Sequence, residues 1–196
     1  MKKIQGVLTE VNKNDINLLK ERPDEFWKDV EEIGEFAFCN SGIDNVAVPA
    51  SVKKLAPRAF DSCKYLTAVA LPESMNNVSK FAFQWCWSLK KVLLPETITK
   101  IEKGAFFGCE ALENIFLPEG IIKIEDGAFE HCHHLCKITL PKSLEKVGAK
   151  VFNQCARLKE IYALNGETDF DEKAFIGLNK ETKLFLAQTE EKELED

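Results

Sequence analysis

A small residue followed by phenylalanine returns along most of the chain: Ala37-Phe38, Ala59-Phe60, Ala82-Phe83, Ala105-Phe106, Ala128-Phe129, Val151-Phe152 and Ala174-Phe175. The first step is 22 residues and each later one is 23. A period of this length restricts the chain to architectures that stack one supersecondary unit on the next. Other positions keep the same step. Five residues before each Phe stands an apolar residue: Ile33, Leu55, Val78, Ile101, Ile124, Val147 or Phe170. Three after it stands Cys63, Cys86, Cys109, Cys132 or Cys155, and six after it Leu66, Leu89, Leu112, Leu135 or Leu158. Then come Val69, Val92, Ile115, Ile138, Ile161 and Leu184, followed in four units by Leu-Pro at 71–72, 94–95, 117–118 and 140–141.

Each unit reads physically. In Leu112-Glu-Asn-Ile115-Phe-Leu117, Ile115 and Leu117 are two apart and share one face of a strand. Pro118 ends that strand because it offers no N–H to a neighbour. Ile122-Lys-Ile124 suits a second short extended piece, and Gly127-Ala128-Phe129 a crowded corner or short helical turn. One unit cannot bury its apolar set alone. Stacking does so at a strand spacing of about 4.8 Å, and each fully buried Phe, Leu or Ile is worth about 1.5–3 kcal/mol.

A stack needs capped ends. Residues 1–32 lie outside the repeat and are assigned to an N-terminal helical cap. Pro23 to Ile33 reads as a helix with Phe26, Trp27, Val30 and Ile33 along one side, and a second short helix is expected around Asp15–Lys20. Residues 33–187 hold about seven repeats that decay toward the end, where Leu164 and Ala187 replace Pro. Residues 188–196 form an acidic tail.

The unit I-x-x-I-x-x-x-A-F-x-x-C-x-x-L-x-x-I-x-L-P resembles the BspA-like, or treponemal, class of leucine-rich repeats, over residues 33–187. The resemblance implies an α/β leucine-rich-repeat solenoid. It would be right-handed, with a parallel sheet on the concave side and short strands, turns and helical corners elsewhere. It implies a binding role, often that of bacterial or protist surface proteins adhering to host or microbial molecules. It brings no catalytic residues.

The residue between the last two core positions of each strand faces outward. This gives the row Ala47, Ala70, Leu93, Phe116, Thr139, Tyr162 and Phe185, flanked by Ala68, Lys91, Asn114, Lys137, Glu160 and Lys183. Such an apolar strip with charged neighbours suits a protein partner. Leu93, Phe116, Tyr162 and Phe185, with Lys91, Asn114, Lys137 and Glu160, are the candidate binding residues. A second reading stands beside it: these residues simply favour β-structure.

The other signals point away from chemistry. A net charge of −6 without a basic run argues against a nucleic-acid partner. No apolar stretch is long enough to span a membrane. The lysines after Met1 precede no apolar segment, so a cytoplasmic location is expected, with a cell-surface or secreted one the alternative should a leader lie upstream. Seven cysteines leave at least one unpaired, and the column at 63, 86, 109, 132 and 155 reads as reduced, buried thiols. Cys39 and Cys136 lie off it and should be more exposed. His131-Cys132-His133-His134-Leu135-Cys136 is the one metal-like cluster, but Cys132 belongs to the inward column, so neither a metal nor a cofactor is expected. Trp85 and Trp87 flank Cys86 and suit either a contact patch or packing on the next unit. No nucleotide-loop or hydrolase motif is present, and no enzymatic activity is expected.

Overall fold

A computed structural model describes residues 1–187 of the chain; the acidic tail proposed for 188–196 lies outside the described residues. The repeat folds as a solenoid with two ribbons of parallel strands, the shorter of which is unpaired between the layers of Leu55 and Val78 among the described residues. The shorter ribbon is built from two-residue strands ending on the apolar position before each corner: β3 (Glu32–Ile33), β5 (Lys54–Leu55), β7 (Asn77–Val78), β9 (Lys100–Ile101), β10 (Lys123–Ile124), β12 (Lys146–Val147) and β14 (Asp169–Phe170). The longer ribbon holds β4 (Asn45–Ala47), β6 (Ala68–Ala70), β8 (Lys91–Leu93), β11 (Lys137–Leu140), β13 (Glu160–Ala163) and β15 (Lys183–Leu186). Equivalent residues pair without slippage: Val46 with Val69 and Val69 with Val92, Ile138 with Ile161 and Ile161 with Leu184.

The phenylalanine corners form one ladder through the molecule. Phe38, Phe60, Phe83, Phe106, Phe129, Phe152 and Phe175 stack face to face, with successive centroids 4.6, 5.2, 5.5, 5.5, 6.1 and 6.4 Å apart and planes within 16°. All but Phe175 are fully buried. The preceding Ala or Val is buried too, which explains why that position is small.

The cysteine column has a defined task. Each thiol donates to the carbonyl of the Phe in the layer before: Cys63 to Phe38 (2.9 Å), Cys86 to Phe60 (3.1 Å), Cys109 to Phe83 (3.2 Å), Cys132 to Phe106 (3.3 Å) and Cys155 to Phe129 (3.1 Å). A small, apolar side chain with one weak donor suits this place. At the far corner Ser74, Thr97, Ser143 and Thr168 act similarly, their hydroxyls donating to Val52, Met75, Ile121 and Leu144 carbonyls one layer back.

The N-terminal cap holds the two expected helices and adds strands to them. It opens with an antiparallel hairpin, β1 (Lys2–Ile4) and β2 (Val7–Glu10), and β2 pairs in parallel with β3. Helix α1 (Lys13–Glu21) follows, with an Asn12/Asp15 capping box, a reciprocal arrangement that satisfies two orphan N–H groups. Helix α2 spans only Pro23–Trp27, where Pro23 to Ile33 reads as one helix in the sequence. The backbone turns left-handed at Asp29 (φ 60°), and Glu32–Ile33 then joins the first ribbon. Phe26, Trp27, Val30 and Ile33 are nonetheless all buried. Helical periodicity identified what points inward, and pairing with β2 decided the backbone.

Candidate functional site

Strand alternation fixes the outward row. Val92, Ile115, Ile138 and Ile161 are buried, while the residues after them turn to solvent. Leu93 is 52% exposed, Phe116 70% and Phe185 41%. Tyr162 is half-buried, because its ring stacks on Phe185 at 4.6 Å and 11°. Lys137 Nζ lies 4.4 Å from the Tyr162 ring centroid and 3.9 Å from Glu160, and the Tyr162 hydroxyl donates to Glu160 at 3.3 Å. The sequence-selected residues Lys137, Glu160, Tyr162 and Phe185 are thus one interlocked patch on β11, β13 and β15.

Leu93 and Lys91 sit apart, on β8. There Ala47 and Ala70 leave a shallow trough of about 200 Å³. Between the two groups the ribbon is interrupted. Among the described residues, Asn114–Phe116 pairs with neither β8 nor β11, so the ribbon divides into β4-β6-β8 and β11-β13-β15. At this seam opens a cleft of about 370 Å³, bounded by Asn114, Phe116, Glu119, Lys137, Thr139 and Leu164. Leu164 was not among the residues selected from sequence. Its signal was the break in the Leu-Pro pattern, read there only as decay of the repeat.

The other constellations resolve into packing. Cys132 is buried in its column, away from solvent. His131 packs on Phe107 (5.2 Å) and His133 (5.5 Å), and His134 Nδ1 lies 2.8 Å from the Glu110 carbonyl oxygen. Trp85 is half-buried edge-on against Phe107, while Trp87 is 44% exposed beneath the Lys64 ammonium. Cys136 is exposed and Cys39 partly so. Burial pushes the column thiols of Cys86, Cys109 and Cys132 well up and that of Cys155 up to about 12. These thiols remain protonated at neutral pH and lack the thiolate that nucleophilic chemistry needs. No described helix is long and apolar enough to cross a membrane.

The repeat frame matches the BspA-type leucine-rich repeat, in six copies, over residues 24–92 and 76–191. The chain belongs to that family. Leucine-rich repeats generally present extended surfaces to protein partners. Solved structures agree on the fold. A leucine-rich-repeat protein of T. pallidum is 24% identical with a TM-score of 0.70, the match spanning 81% of this chain and 75% of that one. One from Bacteroides ovatus is also 24% identical at 0.70, over 80% of this chain and 48% of its own. The pneumococcal vaccine antigen PcpA is 19% identical at 0.56, over 75% and 42%. No curated protein is recognisably similar in sequence.

Proposed function

We propose that this BspA-type chain is a non-enzymatic protein-interaction scaffold whose partner lies along the outward row of the longer ribbon. The observation that carries the reading is Phe116, 70% exposed on a backbone otherwise held by stacked layers. The paired strands on either side of the anchor are already ordered, which limits the entropy lost on binding, and large aromatics in apolar clefts dominate binding energy. Leu93 lies on one side of it, and the Lys137–Glu160–Tyr162–Phe185 patch on the other. Asn114 and Lys91 supply a polar rim.

The test is paired affinity capture from the source organism with wild-type protein and the Phe116→Glu/Tyr162→Glu variant. Only proteins whose capture depends on the row count as partners. A variant with unchanged circular dichroism and melting should lose them, and a correctly folded variant that retains every one overturns the reading. The cytoplasm is our proposed location, supported by seven cysteines that are all unpaired. Cell fractionation tests it, and recovery at the surface would instead support the adhesin-like alternative.

A further inference from the structure

A second site lies on the phenylalanine corner, away from the outward row. Two residues before each of the first six ladder Phe the backbone turns left-handed, and these positions form their own column: Phe36, Arg58, Phe81, Gly104, Gly127 and Lys150, with φ between 55° and 60°. In its first half the column is a cation–π sandwich. The Arg58 guanidinium carbon lies 5.8 Å from the Phe36 centroid and 4.8 Å from that of Phe81. Its Nη1 donates to the Asp61 carboxylate, three residues on, at 3.0 Å.

Beyond Phe81 the column loses its side chains for two layers. The Phe81 ring leans across Gly104, occupying the space a Cβ there would need. Over Gly127 there is no ring, but the Glu130 carboxylate reaches across it, an oxygen 2.9 Å from where a Cβ would stand. Glu130 is three residues after Gly127, as Asp61 is three after Arg58. The result is a notch of about 360 Å³, floored by the two glycines and walled by Phe81, Phe107, Asp126 and Glu130. It holds the ring and the carboxylate of the Arg58 arrangement without the guanidinium.

We propose that this notch receives an arginine side chain from a partner protein. Among the described residues, Glu130 accepts one side-chain hydrogen bond, from the Asn153 amide at 2.6 Å, and forms no ion pair. Lys103 and Lys150 also line the notch, with Lys103 3.9 Å from Asp126. A planar guanidinium competes well against such ammonium groups because it stacks on rings and binds carboxylates through two parallel N–H groups. The proposal does not depend on the outward row, and either surface can fail without the other.

The test is NMR titration of the folded chain with three peptides, Ac-Gly-Xaa-Gly-NH2, where Xaa is arginine, lysine or citrulline. The arginine peptide should move the Gly104, Gly127 and Phe107 amides saturably and bind more tightly than lysine. Citrulline, isosteric but neutral, should bind at least roughly tenfold more weakly, as loss of a charge-assisted pair implies. Glu130→Gln keeps the Asn153 contact and should weaken the arginine peptide similarly. Gly127→Arg supplies the guanidinium internally, at a φ that Arg58 already tolerates, and should abolish binding. Equal affinity for citrulline, shifts confined to other surfaces, or unchanged affinity in Glu130→Gln would each overturn the proposal. Should Gly127→Arg fail to fold, the peptide series and Glu130→Gln still decide.

Discussion

The ring ladder is the feature whose energetic share is most directly measurable. Phe106 is fully buried, with Phe83 and Phe129 each 5.5 Å away and planes 5° and 6° from its own. Phe106→Ala removes burial and stacking together and should cost about 3–5 kcal/mol. That change cannot separate the two effects. Phe106→Leu can, because leucine keeps most of the burial and removes both aromatic pairs. Each such pair is worth about 0.5–1.5 kcal/mol beyond its buried area, so the Leu variant should lose about 1–3 kcal/mol. Leu112→Met is the control: also fully buried and close to volume-conserving, it should cost less than about 1.5 kcal/mol. Equilibrium guanidinium unfolding followed by far-ultraviolet circular dichroism gives all three values. If Phe106→Leu costs no more than Leu112→Met, the ladder marks register without contributing stacking energy, and that part of the reasoning fails.

The cysteine column predicts an alkaline loss of stability. Cys86, Cys109, Cys132 and Cys155 are raised by burial, so their contribution is complete below the unfolded thiol value of about 8.5 and declines above it. Four thiols that ionise only when unfolded imply a fall of about 5 kcal/mol per pH unit above pH 9; Cys109→Ala/Cys132→Ala should halve that slope in denaturation midpoints measured against pH. Ser41 holds the column position in the first repeat, where its buried hydroxyl has no hydrogen-bond partner among the described residues. Ser41→Ala should therefore leave the melting temperature unchanged or raise it, and a fall of several degrees would show that the hydroxyl is satisfied. At the seam, Asn114–Phe116 lacks the ladder held by β8 and β11, so native-state hydrogen exchange should be faster at Phe116 than at Leu93 or Tyr162, whose strands pair with the layer before. Equal protection would mean the ribbon is continuous.

The inner columns were legible because stacking repeats the same demand in every layer. Phe, Cys, Leu and Ile recur at fixed offsets, and the structure buries all of them through the central layers. The N-terminal cap was legible only in its burial pattern. Val30 and Ile33 announced which side faced inward, but a single chain pass cannot show that β2 lies ready to pair with Glu32–Ile33. The outward direction of Leu93, Phe116 and Phe185 followed from strand alternation, whereas the seam did not. Asn114-Ile115-Phe116 has the same apolar pattern as Lys91-Val92-Leu93, and what differs is that its ladder is not made. One local correlate is Gly120, where Ser74, Thr97 and Ser143 hold the equivalent position of nearby layers. A Cβ there would stand 2.7 Å from the Glu96 carbonyl oxygen, so this turn approaches its neighbour more closely than a side chain would permit.

Both candidate sites lie on columns that stacking leaves unconstrained. An inward position must carry a side chain that fits between two like copies, so it says little about what distinguishes this chain from another solenoid. The left-handed corner position, by contrast, runs Phe, Arg, Phe, Gly, Gly, Lys, and the outward row runs Ala, Ala, Leu, Phe, Thr, Tyr, Phe. The stack needs none of these identities, apart from tolerance of a positive φ at the corner. It supplies each with a fixed place about 4.8 Å from the next. Specificity in such a molecule therefore resides in departures from the repeat, and two such departures coincide with clefts: the side-chain gap over Gly104 and Gly127, and the unpaired segment carrying Phe116.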